Sequence, residues 1–217
     1  MFFEPQQGRT TLSKICGITN KQDALNALDS GAEAIGINAY PASRRYANPS
    51  ICAHWLNGLA GKISRVVVVV NPSEAEVDAL HGLGVFDAIQ FHGEETPDFC
   101  ARSRFPHWIK AVRVQSPSDL ELALQFDSPY LLLDGWSPGQ YGGTGTRVDW
   151  DLARDFVAAH PDRRVILAGG LNPLNVHTAI RIVRPYAVDV AGGVEASPGL
   201  KEDYLVREFV KASSQGY

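Results

Sequence analysis

The sequence predicts an α/β protein, a single (β/α)8 (TIM) barrel, and three observations predict it. Short apolar runs alternate with amphipathic segments along the whole of the 217 residues, as parallel strands joined by helices require. Residues 66–70 in the run at 65–70, and the whole of 130–133, are apolar without interruption, which suits strands buried on both faces of a sheet. No linker, repeat or low-complexity stretch divides the chain. A closed barrel over 13–217, preceded by a short extension at 1–12, is therefore expected, with an open doubly wound sheet as the alternative.

The elements follow in order. A first strand at 13–17 leads to a helix at 21–30, with Asn20 as its cap. The strand at 34–38 precedes a helix at 49–59, opened by Asn48-Pro49. The strand at 65–70 runs through Asn71-Pro72 to a helix at 73–82, and the strand at 88–91 is followed by a helix at 96–102. The strand at 108–112 passes through Ser116-Pro117 into a helix at 117–125. The strand at 130–133 is followed by a glycine-rich loop and a helix at 149–159. Finally, the strand at 165–168 leads through Asn172-Pro173 to a helix at 173–183, and the strand at 187–190 to a helix at 201–212. Asn71, Ser116 and Asn172 read as further caps, and Pro49, Pro72, Pro117 and Pro173 each stand where a first helical turn favours proline.

Composition narrows the function. An apolar share of 45% with 20% charged residues is ordinary for a globular protein. A net charge of -4, with Lys and Arg spread along the chain, provides no basic field for nucleic acid. No apolar stretch approaches the roughly 18 residues that span a bilayer, so no membrane partner is expected. The N-terminus lacks the layout of a signal peptide and reads as a frayed polar extension. Cys16, Cys52 and Cys100 lack metal or disulfide spacing, which fits buried thiols in a reducing cytoplasm. Cys16 differs from the other two because it falls at a strand end. No metal cluster or dinucleotide fingerprint occurs, so neither metal nor cofactor is implied. A monomer is expected, with a dimer as the alternative.

A barrel carries its site on the strand C-terminal ends. Gathered there are Lys14 and Cys16, Arg44 and Arg45, Gln90 and His92, Asp134, Gly169-Gly170, and Asp189 followed by Gly192-Gly193. Asp134 closes the run Leu131-Leu132-Leu133, and Gly142-Gly143-Thr144-Gly145 follows it with uncovered amides that suit an anion. Glycine pairs after the last two strands form the phosphate place common to many barrels. A small phosphorylated substrate is the expected partner. Lys14 and Cys16 lie two residues apart on one strand and point into the barrel, where Lys14 needs a counter-ion such as Asp189. On residue type alone, Asp134 as a loop cap and Cys16 as packing remain open.

Several stretches together carry a resemblance: Lys14-Ile15-Cys16-Gly17-Ile18-Thr19, Gln90-Phe91-His92-Gly93, Gly142-Gly143-Thr144-Gly145, Ala168-Gly169-Gly170-Leu171-Asn172-Pro173 and Gly193-Val194-Glu195-Ala196-Ser197-Pro198-Gly199. From about Ser13 to the C-terminus the chain resembles the phosphoribosylanthranilate isomerases of tryptophan biosynthesis. The resemblance implies an Amadori rearrangement, with Cys16 as general base, Asp134 as general acid and Arg45 on the anthranilate carboxylate. A forked guanidinium suits that planar anion. His92 is read as a loop residue near the site, with no catalytic role. The chain departs from the family at Gly36-Ile37-Asn38-Ala39, where aromatics are usual, at Ala191-Gly192-Gly193 in place of Ser-Ser-Gly, and at Thr146-Arg147 in place of Lys-Thr. A histidine-pathway sugar isomerase is the second enzyme reading, but it uses two aspartates, and Cys16 argues against it. A phosphate-binding barrel without catalysis is the third reading, against which Cys16 and Asp134 both stand.

Overall fold

The structure is a computed structural model, and it describes residues 2–4, 11–135 and 148–215. Eight parallel strands close into a barrel in chain order: β1 (Leu12–Cys16), β2 (Ala34–Asn38), β3 (Ser64–Val69), β4 (Ala88–Phe91), β5 (His107–Val114), β6 (Tyr130–Gly135), β7 (Arg164–Leu167) and β8 (Ala187–Val190). Helices α1 (Lys21–Asp29), α2 (Pro49–Leu56), α3 (Glu74–Gly82), α4 (Pro97–Ala101), α5 (Pro117–Ala123), α6 (Trp150–Ala159), α7 (Val176–Val183) and α8 (Asp203–Ser213) alternate with them. A two-stranded hairpin, β9 (Glu195–Ser197) with β10 (Leu200–Lys201), is added after β8 and was not foreseen from the sequence.

Strand alternation sorts the core into two parts. Val66, Ala88, Ile109, Leu132 and Ile166 fill the barrel interior. Their neighbours Val67, Ile89, Leu131, Leu133 and Val165 face the helices. Both sides of these strands are therefore apolar at this level, which is why 66–69 and 130–133 carry no polar alternation.

Asn20 and Asn48 cap α1 and α2 through their side-chain carbonyls, and Pro49 and Pro117 stand in the first turns of α2 and α5. Two of the expected caps are corrected. Asn71 adopts a left-handed backbone (φ 48°) and its side chain accepts from Glu94, while Ser73 caps α3. Asn172 instead closes a turn by accepting from the N–H of Leu174, and α7 begins only after Asn175. Pro72 and Pro173 therefore lie outside the helices.

At Phe2 and Phe3 the expectation of a frayed N-terminal extension is corrected too. Phe2 and Phe3 are 0% and 8% exposed and seal the lower end of the barrel. Phe3 stacks on His107 with ring centroids 4.7 Å apart, and the Tyr130 hydroxyl donates to the Phe3 carbonyl at 3.2 Å. Two aromatic side chains outweigh the polar residues around them in the sequence, because the barrel floor offers each a dry site.

Candidate active site

The opposite end of the barrel is open. Its mouth holds a cleft of about 390 Å3, lined by residues from the ends of β1, β2, β3, β4, β6, β7 and β8. Cys16, Asp134, Arg45, Gly169, Gly170, Gly192 and Gly193 all line it, so residues far apart in sequence are gathered there as expected. Gly143 and its glycine loop lie outside the described residues.

On β1, Lys14 and Cys16 share the inward face. Lys14 is completely buried, and its Nζ donates to Asp189 Oδ1 at 2.8 Å, across the β1–β8 register. This is the ion pair the sequence called for. Cys16 lies opposite Gly36 on β2, and a Cβ at Gly36 would stand 2.8 Å from Cys16 Sγ and 3.1 Å from Lys14 Nζ. The missing side chain thus makes room for the thiol and the ammonium together. Burial pushes the Cys16 thiol above its ordinary value, and Lys14 pulls it down only in part. Burial disfavours the Lys14 charge as well, yet Asp189 and Cys16 outweigh it and hold the ammonium above its ordinary value.

Asp134 is buried at the end of β6. Its Oδ1 accepts from the N–H of Gly135 at 2.9 Å, a local contact of the capping kind. Its Oδ2 lies 3.3 Å from His92 Nε2, at the end of β4. Gln90 Nε2 lies 2.9 Å from His92 Nδ1, so the ring is sandwiched between an amide and a carboxylate. His92 Nε2 has no aligned hydrogen-bond partner, and neither does Gln90 Oε1. His92 is a loop residue near the site, as the sequence reading had it, and it also contacts the carboxylate directly. A buried pair, Lys110 Nζ to Glu95 Oε2 at 2.7 Å, anchors the following turn, since Lys110 also donates to the Gly93 carbonyl.

Arg45 reaches the cleft from the loop after β2. Asn38 organises that loop, donating to Ser43 Oγ at 3.0 Å and accepting from the N–H of Tyr40 at 2.9 Å. Ser43 Oγ accepts in turn from the Arg45 N–H at 3.1 Å. The asparagine that departs from the aromatic pattern therefore does defined work as a turn anchor. The guanidinium is gripped by Glu195, whose two oxygens take Nε and Nη2 at 2.8 Å each. Glu195 had no role in the sequence reading, because its partner is 150 residues away.

The glycines after β7 and β8 form the far wall. Gly169 and Gly170 have φ of 84° and 63°, a left-handed backbone that glycine adopts without strain. A Cβ at Gly193 would stand 1.9 Å from the Leu171 carbonyl oxygen, so the two loops touch through bare backbone. Asn175 fixes the first loop by donating to the Gly170 carbonyl at 2.9 Å. Among the described residues no group of three or more His, Cys, Asp or Glu could hold a metal ion.

The family described as N-(5'-phosphoribosyl)anthranilate (PRA) isomerase matches residues 13–212. A relative of that name from Pelobacter propionicus is 42% identical over 202 residues, covering 93% of this chain and 95% of its own length. Another, from Thermotoga neapolitana, is 43% identical over 200 residues, covering 91% of this chain and 96% of its own. Among solved structures, the phosphoribosyl anthranilate isomerase of Thermotoga maritima superposes with a TM-score of 0.84 at 39% identity, covering 94% and 98% of the two chains. A phosphoribosyl anthranilate isomerase structure in complex with reduced 1-(o-carboxyphenylamino)-1-deoxyribulose 5-phosphate matches with a TM-score of 0.81 at 37% identity, again covering 94% and 98%.

Proposed function

The chain belongs to the N-(5'-phosphoribosyl)anthranilate isomerase family, and from that premise we propose how its own residues perform the reaction. It converts N-(5'-phosphoribosyl)anthranilate to 1-(2-carboxyphenylamino)-1-deoxyribulose 5-phosphate, an Amadori rearrangement in tryptophan biosynthesis. Its substrate is small and phosphorylated.

The reaction needs an acid at the furanose oxygen and a base at C2. Asp134 donates a proton to the ring oxygen while the anilino nitrogen pushes open the C1–O bond. Cys16, as thiolate, then takes the C2 proton and leaves an enolamine. Return of that proton to C1, with transfer of the C2 hydroxyl proton to the Asp134 carboxylate, yields the ketone and restores both groups. The observation that carries this reading is that Cys16 and Asp134 line one cleft from different strands, with other polar groups supporting each. Lys14 is the cation that favours the thiolate against the opposing effect of burial.

Arg45 holds the anthranilate carboxylate with the part of its guanidinium that Glu195 leaves open. The phosphate is held by the backbone around Gly169-Gly170 and Gly192-Gly193, where the bare loops let an anion approach the amides closely. Residues 13–217 act as one catalytic domain. A monomer in the cytoplasm is the setting we infer. No helix among the described residues is long and apolar enough to cross a membrane, and all three cysteines are free. A Thermotoga maritima relative is described both as a dimer and as generated monomers, so sedimentation of this chain tests the oligomeric state.

Complementation of a tryptophan auxotroph lacking this isomerase tests the two roles together. The wild-type gene restores growth, whereas Cys16→Ser and Asp134→Asn do not, although both proteins accumulate folded. Growth restored by either variant at ordinary expression removes that residue from the mechanism.

A further inference from the structure

We propose that Glu195 is a positioning residue that sets the angle at which Arg45 meets the carboxylate of the substrate. The inference rests on the reading of Arg45 given above and goes beyond it.

The contact is fork to fork: Arg45 Nε to Glu195 Oε1 and Arg45 Nη2 to Glu195 Oε2, each 2.8 Å. Such a pair fixes the guanidinium plane as well as its place. It occupies the Nε side of the group and leaves Nη1 and the second hydrogen of Nη2 for another anion. Glu195 is itself immobilised. Lys201 Nζ donates to Oε1 at 2.9 Å and to the Ala191 carbonyl at 3.0 Å, and the N–H of Gly199 donates to Oε1 at 3.2 Å. Glu195 and Lys201 face each other across the β9–β10 hairpin, so this small sheet serves as the mounting for the clamp.

Two glycines complete the track along which the arginine lies. A Cβ at Gly17 would stand 2.6 Å from Arg45 Cδ, and a Cβ at Gly192 would stand 3.1 Å from Nη2. The side chain therefore crosses from the end of β1 to the end of β8 over two positions that have no side chain. Charge agrees with this arrangement. Two cations and one anion leave the cluster one positive charge, which a single carboxylate neutralises. Glu195 stays ionised because Arg45 and Lys201 outweigh the effect of its burial. An untethered arginine would have to be ordered by each substrate molecule, at a cost in affinity.

The test measures binding of two ligands by calorimetry: the reduced product 1-(2-carboxyphenylamino)-1-deoxyribitol 5-phosphate and its anilino counterpart without the carboxylate. Wild type should prefer the carboxylated ligand, and Arg45→Met should lose that preference. Glu195→Gln should weaken the carboxylated ligand about tenfold and leave the anilino ligand unchanged, the scale of one charge-assisted hydrogen bond. Glu195→Asp keeps the charge but withdraws the fork, and should behave alike if Glu195→Gln does not fold. If Arg45→Met keeps the preference, the reading of Arg45 fails, and this inference with it. If Arg45→Met loses the preference but the folded Glu195 variant keeps or strengthens it, the positioning role alone is overturned. Equal weakening of both ligands by Glu195→Gln also overturns it, because it shows a general structural effect.

Discussion

His92 Nε2 stands 3.3 Å from Asp134 Oδ2, with Gln90 closing on the other ring nitrogen. The distance suits an electrostatic contact, yet the groups are not aligned as a hydrogen bond. Contacts of this kind commonly tighten when substrate binds.

The first prediction follows from that contact. His92→Asn should lower kcat about tenfold and change KM little, since the contact supports the acid rather than the ground-state complex. Steady-state kinetics on the purified variant check this. An unchanged kcat would mean that the imidazole is a bystander.

A second prediction concerns Gly36. Alanine there would place a methyl group 2.8 Å from Cys16 Sγ, inside a closed barrel whose backbone has little room to yield. Gly36→Ala should cost about 1–3 kcal/mol of stability through overpacking, measured by denaturant titration. Activity should fall at least about tenfold, because a displacement near 1 Å at a reacting group is costly. Full activity would show that the thiol has slack.

A third prediction is the pH dependence of the thiol. Burial raises Cys16, so its alkylation by iodoacetamide should be half-maximal above the ordinary thiol value of about 8.5. Stability linked to this group is present below that value and declines as pH rises through the higher folded one. Lys14→Met with Asp189→Asn removes both charges of the buried pair. The lost ammonium is the stronger of the two influences on Cys16, so the alkylation curve should move to higher pH. Peptide mass spectrometry separates Cys16 from Cys52 and Cys100, and a shift to lower pH would contradict the role given to Lys14.

The barrel floor yields a fourth. Phe2→Ala should destabilise the protein by about 3–5 kcal/mol, the cost of emptying a buried aromatic site, seen as a lower Tm. The site is at the other end of the barrel, so kcat measured well below Tm should not change. An unaltered Tm would show that the floor is not sealed by this side chain.

What could be read from the sequence, and what could not, follows physical range. The runs that became β2, β4 and β8 were legible to the residue, because each is a short, mostly apolar run with a single polar residue, set between helical segments. Lys14 and Asp189 were legible as a pair, because a lysine inside a barrel must find an anion. The start of α7 was misread because Asn172 and Asn175 are both plausible caps, and Asn175 sits at the helix start while its side chain accepts from the Asn172 N–H. Glu195 and the contact of His92 with Asp134 were not legible, since each depends on strand ends that only the closed barrel brings together. Phe2 was hidden by the polar stretch after it.

Asp134→Asn is the most direct test of the account as a whole. The substitution preserves shape and most hydrogen bonding, but an amide has no proton acidic enough to give to the ring oxygen. The lost interaction develops in the transition state, so kcat should fall by about 10² to 10⁴-fold while KM changes little. The measurement is steady-state turnover of N-(5'-phosphoribosyl)anthranilate, followed by loss of substrate fluorescence, on protein shown to be folded by circular dichroism. A folded variant that keeps about a third or more of the wild-type kcat would contradict the assignment of Asp134 as the general acid.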